Sequence, residues 1–145
     1  MIRRLGPGDE AALGAAVKLF KSRDTGPGQH LEDPATVVFV CEIDSEVVGW
    51  AHGYLMHRVD GGTMSLLYEV DVAPGHRRRG HAKRLIEEFI ATALTSGCSS
   101  MWVLTSPDNS PAHSLYASLG GKRLSDQALF IWRFDSEAEQ PDFHE

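Results

Sequence analysis

The sequence has no long apolar run and only two cysteines, and each absence excludes a class of protein. No segment approaches the roughly 20 apolar residues that a membrane-spanning helix requires. Cys41 and Cys98 lack the spacing of metal ligands, which argues against a zinc module. Met1–Gly6 is not followed by the apolar core of a secretory signal. We therefore expect a reduced, cytoplasmic chain that needs no metal and contacts no membrane.

Basic residues are also scarce: 14 Lys and Arg stand against 20 Asp and Glu, a net charge of −6. Residues 135–145 carry five acids and neither Lys nor Arg, so we expect an acidic, flexible tail. The exception is the stretch Arg77–Arg84, which holds five basic residues and no acid. Nucleic-acid binding needs a more extended basic surface. The pattern therefore argues against a nucleic-acid partner and favours one small polyanion.

A chain of 145 residues predicts one domain, which we assign to residues 1–134. Hydrophobic periodicity and turn residues in its first half predict a short strand, a helix capped by Asp9, a polar loop or short helical turn, and a three-strand antiparallel meander. These elements are assigned to Met1–Leu5, the stretch after Asp9, Gln29–Pro34, Val37–Cys41, Val47–His57 and Met64–Val72.

The second half begins with the strongest helical pattern in the chain, an apolar stripe between Ala82 and Leu94. A strand at Met101–Thr105, a helix that opens at Ser110-Pro111 with the Ser110 hydroxyl as its cap, and a last strand at Ala128–Phe134 follow. The predicted fold class is mixed α/β. It has a mostly antiparallel central sheet, one parallel strand pair that splays apart, and helices on both faces.

The segment Arg77–Ala82 has the features of an anion site. The N-terminus of a helix presents unpaired N–H groups and the positive end of the helix dipole. Gly80 allows close approach to the backbone, and the arginines add charged donors. A diphosphate fits this pattern, although many arginine-rich helix starts are ordinary exposed surface. The spacings of a P-loop and of a dinucleotide-binding glycine motif are absent.

Two motifs resemble the GCN5-related N-acetyltransferases (GNAT). Arg77-x-x-Gly80-x-Ala82 after an apolar strand is similar to the acetyl-CoA signature of that family, and Asn109–Gly120 is similar to its late helix. The resemblance implies direct transfer of an acetyl group from acetyl-CoA to a primary amine. Shorter stretches at Leu67–Val72, His76–Gly80 and Leu115–Gly121 resemble the aminoglycoside 3-N-acetyltransferase branch. They imply a small polycationic acceptor acetylated at its 3-amino group, and hence antibiotic resistance.

The resemblance also implies roles for single residues. Glu69 is the expected base, and Asp71, on the same strand face, is a second carboxylate for the acceptor or a plain strand-end acid. Two like charges would raise the pKa of one of these carboxyls. Tyr116 is the expected acid for the leaving thiolate. The residues expected to bind acetyl-CoA are Val70, Asp71, Val72, Arg77, Arg78, Arg79, Gly80, His81, Ala82, Lys83, Asn109, Ala112 and Tyr116.

Other candidates carry weaker signals. His76 and His81 flank the arginines and either contact phosphate or are exposed. Three tryptophans in predicted strands are expected in the core: Trp50, Trp102 and Trp132. Three acids are expected either to contact a polycationic acceptor or to be plain surface: Asp126, Glu32 and Asp33. Two alternatives stay open, a family member that acetylates another amine and a CoA-binding module without catalysis. A homodimer is compatible with the resemblance.

Overall fold

The computed structural model describes residues 1–24 and 29–135, which form two compact units. The first unit, Met1–Val103, contains every strand that the structure describes. Its elements are β1 (Ile2–Arg4), α1 (Glu10–Lys21), a 3-10 helix (Gln29–Glu32), β2 (Thr36–Ile43), β3 (Glu46–His57), β4 (Thr63–Val72), a 3-10 turn (Pro74–His76), α2 (His81–Thr95) and β5 (Met101–Trp102). The second unit begins at Leu104 and contains α3 (Ser110–Ser118).

The five strands form one mixed sheet in the order β1-β2-β3-β4-β5. β1 to β4 pair antiparallel, and β4 pairs with β5 in parallel across the helix α2. Asp44 and Ser45, with φ of 51° and 66°, close the two-residue turn between β2 and β3, and such turns match the twist of antiparallel strands. The predicted fold class and its parallel crossover are confirmed.

Helices cover the two faces of this sheet. On one face, Trp50 packs in a buried cluster with Ala16 of α1, and Phe20 joins it. On the other face, a Cβ at Gly49 or Gly53 would meet Leu85 or Phe89 of α2 at 3.2 and 2.9 Å. Because neighbouring residues of a strand point to opposite faces, α1 and α2 lie on opposite sides of the sheet.

A β-bulge interrupts the pairing of β3 with β4. His52 pairs with Glu69, whereas the next residue, Gly53, pairs with Leu67, so Tyr68 is the additional residue. A bulge of this kind reverses the faces on either side of it. Leu67 is therefore buried on the side of α2, while Glu69 lies on the side of α1.

Several local predictions are wrong. Ala128–Phe134 is exposed and forms no strand among the described residues, because β-propensity yields a strand only where a sheet edge accepts its backbone. The strand predicted at Met101–Thr105 ends at Trp102. Asp9 is the N-cap residue of α1 as predicted, but its carboxylate makes no capping bond and instead accepts hydrogen bonds from Arg3 and from the N–H of Gly6.

The helix α3 begins differently from the prediction. Asn109, rather than the hydroxyl of Ser110, caps it by accepting from the N–H of Ala112 at 3.2 Å. The acidic tail at 136–145 and the glycine-rich residues 25–28 lie outside the described residues. Among the helices that the structure describes, none has both the length and the apolarity needed to cross a bilayer.

Candidate active site

One edge of β4 pairs with another described strand over only part of its length. Its pairing with β5 extends only over Ser65 and Leu66, and no described strand continues along Leu67–Val72 on that side. The N–H of Ala73 bonds to the carbonyl of Val48 in β3 at 2.8 Å. Because residues of an antiparallel strand alternate in the side to which their backbone groups point, those of Val70 and Val72 point to the open edge.

The carboxylate of Glu69 is buried beside this edge. Its side chain is 6% exposed, and Lys21, the last residue of α1, places Nζ 2.6 Å from Oε1. His52 places Nε2 3.8 Å from Oε2, beyond hydrogen-bond range. Burial acts to raise the pKa of the Glu69 carboxyl, but His52 and Lys21 lower it by more, so that it lies below its ordinary value.

Asp71 lies on the same face as Glu69, as the strand period predicts. Its Oδ2 accepts a hydrogen bond of 2.7 Å from the indole N–H of Trp50. Trp50 stacks on Phe20 with ring centroids 5.6 Å apart and contacts the ring of His52 at 4.3 Å. The expectation that the paired carboxylates raise a pKa is wrong for Glu69, because the cation of Lys21 lies against it.

The basic loop and the start of α2 have the backbone of an anion site. Gly80, with φ of +80°, precedes the helix and offers no side-chain cap to its first N–H groups. The first intrahelical bond joins the N–H of Arg84 to the carbonyl of Gly80 at 3.1 Å, which leaves the N–H groups of the first turn available. Arg78, Arg79 and Lys83 are exposed around this turn. These groups fit a diphosphate.

Arg77 and His81 have structural contacts in this loop. Arg77 donates from Nε to the carbonyl of Val72 at 3.0 Å, which ties the loop to the end of β4. Arg84 donates to Nδ1 of His81 at 2.7 Å, and the thiol of Cys41 lies 3.6 Å from the same atom. Burial, followed by the charge of Arg84, lowers the pKa of His81. Its imidazole is therefore neutral at neutral pH and accepts from Arg84.

Two nitrogen atoms of this region are buried without a hydrogen bond: Nδ1 of His76 and Nε2 of His81. Buried polar atoms are normally satisfied, so an unpaired one indicates a missing partner. Together with the uncapped helix start they support the fit of this loop to a phosphate-bearing ligand. Neither histidine is fully exposed, in contrast to the simpler expectation for a charged turn.

Four of the predicted site residues, Asn109, Ala112, Tyr116 and Asp126, belong to the second unit. Ala112 and Tyr116 lie four residues apart on α3 and therefore share a face. The carbonyl of Tyr116 accepts from the N–H of Gly121 at 2.9 Å, which closes the end of the helix. Asp126 is exposed and accepts from the amide of Gln127. The roles of Asn109, Tyr116 and Asp126 stay predictions.

Of the three tryptophans expected in the core, only Trp50 is buried. Trp102 is 41% exposed and lies on β5, a strand of two residues at the edge of the sheet. Trp132 is 72% exposed and lies in a segment that is not a strand. The predictions for Trp102 and Trp132 are therefore wrong. Glu32 and Asp33 are exposed, and their acceptor role stays a prediction.

Sequence reasoning missed Lys21 and His52. A signal for His52 exists, because it lies two residues from Trp50 on β3. Counting the hairpin register from the pair His57 and Thr63 would, however, place His52 opposite Tyr68. The bulge shifts this register by one residue, and only the structure reveals the contact with Glu69.

Known proteins share this fold. The chain is 31% identical over 100 residues to the L-2,4-diaminobutyric acid acetyltransferase of Nocardia farcinica (strain IFM 10152), an alignment that covers 67% of this chain. The chain spans about half of that relative, since 50% of its length is aligned.

Two solved structures are similar over nearly the whole chain. An aminoglycoside acetyltransferase (meta-AAC0020) from an uncultured soil metagenomic sample, in complex with sisomicin, superposes with a TM-score of 0.82 at 18% identity, over 93% of this chain and 96% of that one. AAC(6')-Iy in complex with the bisubstrate analogue CoA-S-monomethyl-acetylneamine has a TM-score of 0.74 at 22% identity, over 92% and 97%. At these identities the likeness shows the fold.

Family membership rests on a separate match. The sequence profile described as acetyltransferase (GNAT) family matches residues 12–120, which include β4, the basic loop and α3. The match covers well over half of the sequence and agrees with the mixed sheet, its parallel crossover and the uncapped start of α2. The chain belongs to the acetyltransferase (GNAT) family.

Proposed function

We propose that this chain is an N-acetyltransferase that moves the acetyl group of acetyl-CoA to a primary amine of an aminoglycoside. The observation that carries the proposal is the open edge of β4. Backbone groups of Val70 and Val72 point outward there, the buried carboxylate of Glu69 lies beside them, and Arg77 ties the end of the strand to the basic loop.

Acetyl-CoA would bind along this edge. The N–H groups at the start of α2 and the exposed cations of Arg78, Arg79 and Lys83 suit the diphosphate. The pantetheine arm would bond to the free backbone groups of β4 as an added strand does. The carbonyl of Val72 already accepts from Arg77, so its N–H and the groups of Val70 remain for this role. For Asn109, Ala112 and Tyr116 we keep the roles that the sequence resemblance implies, with Tyr116 as the acid.

The acceptor would be held by negative charge. Glu69 and Asp71 lie on one face of β4, and because Lys21 balances only one of these two carboxylates, the remaining negative charge attracts a polycation. The sisomicin complex of meta-AAC0020 and the acetylneamine analogue bound to AAC(6')-Iy support an aminoglycoside. The short sequence resemblance favours the 3-amino group, whereas AAC(6')-Iy is named for the 6' position, so the acetylated position is left to product analysis.

A second candidate acceptor is a small diamino acid. The curated relative is named for L-2,4-diaminobutyric acid and has the higher sequence identity, 31%. Such an acceptor has one carboxylate and two amines, so the face formed by Glu69 and Asp71 would repel its acid group. Aminoglycosides lack this group, which is why the charge of the site favours them.

An acceptor panel tests the proposal. Purified protein is incubated with acetyl-CoA and gentamicin, sisomicin, L-2,4-diaminobutyrate, spermidine or a peptide amine, and release of the CoA thiol is followed. We expect turnover with the aminoglycosides, and NMR of the product identifies the acetylated nitrogen. Turnover confined to another amine would show that this amine, and not an aminoglycoside, is the acceptor. No turnover together with calorimetric binding of CoA would support the non-catalytic module, and no CoA binding would refute the whole proposal.

A further inference from the structure

Two buried polar atoms face each other in the acceptor region without hydrogen bonds. They are Nε2 of His52 and Oε2 of Glu69, 3.8 Å apart. The Glu69 side chain is 6% exposed and that of His52 is 16% exposed. Leaving a buried donor or acceptor unsatisfied costs about 1–3 kcal/mol. An arrangement that keeps two such atoms side by side therefore indicates a ligand that satisfies both.

We infer that the acceptor's amine nitrogen lies beside His52 Nε2 and Glu69 Oε2, within hydrogen-bond distance of both, and that His52 is the catalytic residue that takes its proton. The inference rests on the proposed function. A separation of 3.8 Å is shorter than two hydrogen-bond lengths, so one nitrogen can reach both atoms. A carboxylate oxygen only accepts, a neutral imidazole nitrogen accepts when the other nitrogen carries the proton, and a primary amine supplies two donors.

The environment of Glu69 favours this division of roles. Lys21 occupies Oε1 at 2.6 Å and keeps the carboxyl ionised, which makes it a good partner for a cation and a poor proton acceptor. Imidazoles are the side chains that generally exchange protons near neutral pH. Charged and titratable groups around His52 come from two neighbouring elements: Lys21 from α1, and Glu69, Tyr68 and, beyond Trp50, Asp71 from β4.

Trp50 holds the imidazole in place. Its ring contacts His52 with centroids 4.3 Å apart, and its N–H is fixed by Asp71 at 2.7 Å. Tyr68, the additional residue of the bulge, is the second ring that contacts His52, with centroids 5.6 Å apart. The ring is therefore positioned by aromatic packing, and its Nε2 has no hydrogen-bond partner among the described residues.

The reaction begins with the acceptor amine bound as an ammonium ion. His52 Nε2 takes one N–H proton and becomes an imidazolium, which Glu69 stabilises by charge. The freed lone pair of nitrogen forms a bond to the carbonyl carbon of the thioester. The C–S bond then breaks with its electron pair on sulfur, the acid protonates the thiolate, and the second N–H proton of the amine restores the acid. The imidazolium finally returns its proton to water.

His52→Gln tests the inference, because glutamine keeps a polar group and removes the base. Its matched control is His57→Gln, which changes an exposed histidine of the same strand. At neutral pH we expect kcat of His52→Gln to fall on the order of 100-fold or more, the usual range for a general base, and His57→Gln to stay near wild type. Thermal melts verify that each variant folds, and His52→Asn replaces the glutamine variant if it does not.

The pH profile separates a base from a structural residue. Raising the pH towards the pKa of the acceptor amine increases its uncharged fraction about tenfold per unit, so the defect of His52→Gln should shrink accordingly. A defect that is constant with pH, or activity close to wild type at neutral pH, would overturn the inference while leaving the acetyltransferase function intact. Wild-type protein without turnover on any amine would instead refute the proposed function, and the role of His52 with it.

Discussion

Replacing Lys21 with methionine should destabilise the protein in a manner that depends on pH. Methionine keeps the length of the side chain but leaves the buried carboxylate of Glu69 without the ammonium at 2.6 Å. The carboxyl then either remains ionised or binds a proton. The state with the lower free energy sets the upper limit for the loss in the free energy of unfolding. With an ordinary glutamate pKa near 4.3, protonation at pH 7 costs about 3.7 kcal/mol, at 1.36 kcal/mol per pH unit.

The sign follows from the two pKa values. In the wild type the pKa of Glu69 is lowered, so its stabilising contribution is complete above about pH 4.3 and is lost as the pH falls through the folded value. In Lys21→Met, burial without the cation raises the pKa, so the penalty grows as the pH rises above that point. We expect the cost of protonating Glu69 in the variant to be at most about 3.7 kcal/mol at pH 7 and about 1 kcal/mol at pH 5, and the lost contribution of the lowered wild-type pKa adds to it.

Urea unfolding followed by circular dichroism between about pH 5 and pH 8 measures this difference. Lys18→Met, which removes an exposed lysine one turn earlier on α1, should change the free energy of unfolding by less than about 0.5 kcal/mol. The double variant Lys21→Met/Glu69→Gln should recover most of the loss, because no buried charge remains. A loss in Lys21→Met that does not vary with pH would refute the reasoning.

Three further changes test other parts of the structure. Gly53→Ala would place its Cβ 1.9 Å from the carbonyl oxygen of Leu66, so the free energy of unfolding should fall by about 3 kcal/mol, whereas Gly62→Ala, in ordinary contact only, serves as the control in thermal melts. Gly80→Ala forces an alanine into a φ of +80° and should weaken CoA binding about tenfold by calorimetry; unchanged affinity would contradict the anion site. Tyr116→Phe should lower kcat about 100-fold with CoA affinity nearly constant, and full activity would exclude it as the acid.

The centre of the sheet was largely predictable because the strands β2, β3 and β4 are long and joined by short turns. Asp44 and Ser45 mark a tight hairpin, and the apolar stripe of α2 has an unambiguous helical period. Ala128–Phe134 shows where this reasoning fails. Its residues favour an extended backbone, but a strand also requires a partner edge, which composition does not encode.

The candidate site was predictable in its types of residue rather than in their contacts. Glu69 was predicted from the family resemblance, which implies a carboxylate on this strand, and Gly80 from its place at the start of an apolar helical stripe. Lys21 is distant in sequence from Glu69, and the contact between them depends on how α1 packs against β4. The pairing of His52 with Glu69 depends on a bulge that has no signature in the strand pattern.

The bulge at Tyr68, more than the side chain there, decides which face of the sheet carries Glu69. A substitution at Tyr68 would leave Glu69 on the side of α1, because the backbone register is unchanged. Pairing of the same residues without the bulge would instead place Glu69 on the face of Leu67 and turn its carboxylate towards Leu85 and Phe89, inside an apolar layer. Deleting Tyr68 would leave Glu69 opposite His52 and Leu67 opposite Gly53, so we expect that deletion to keep Glu69 on the side of α1.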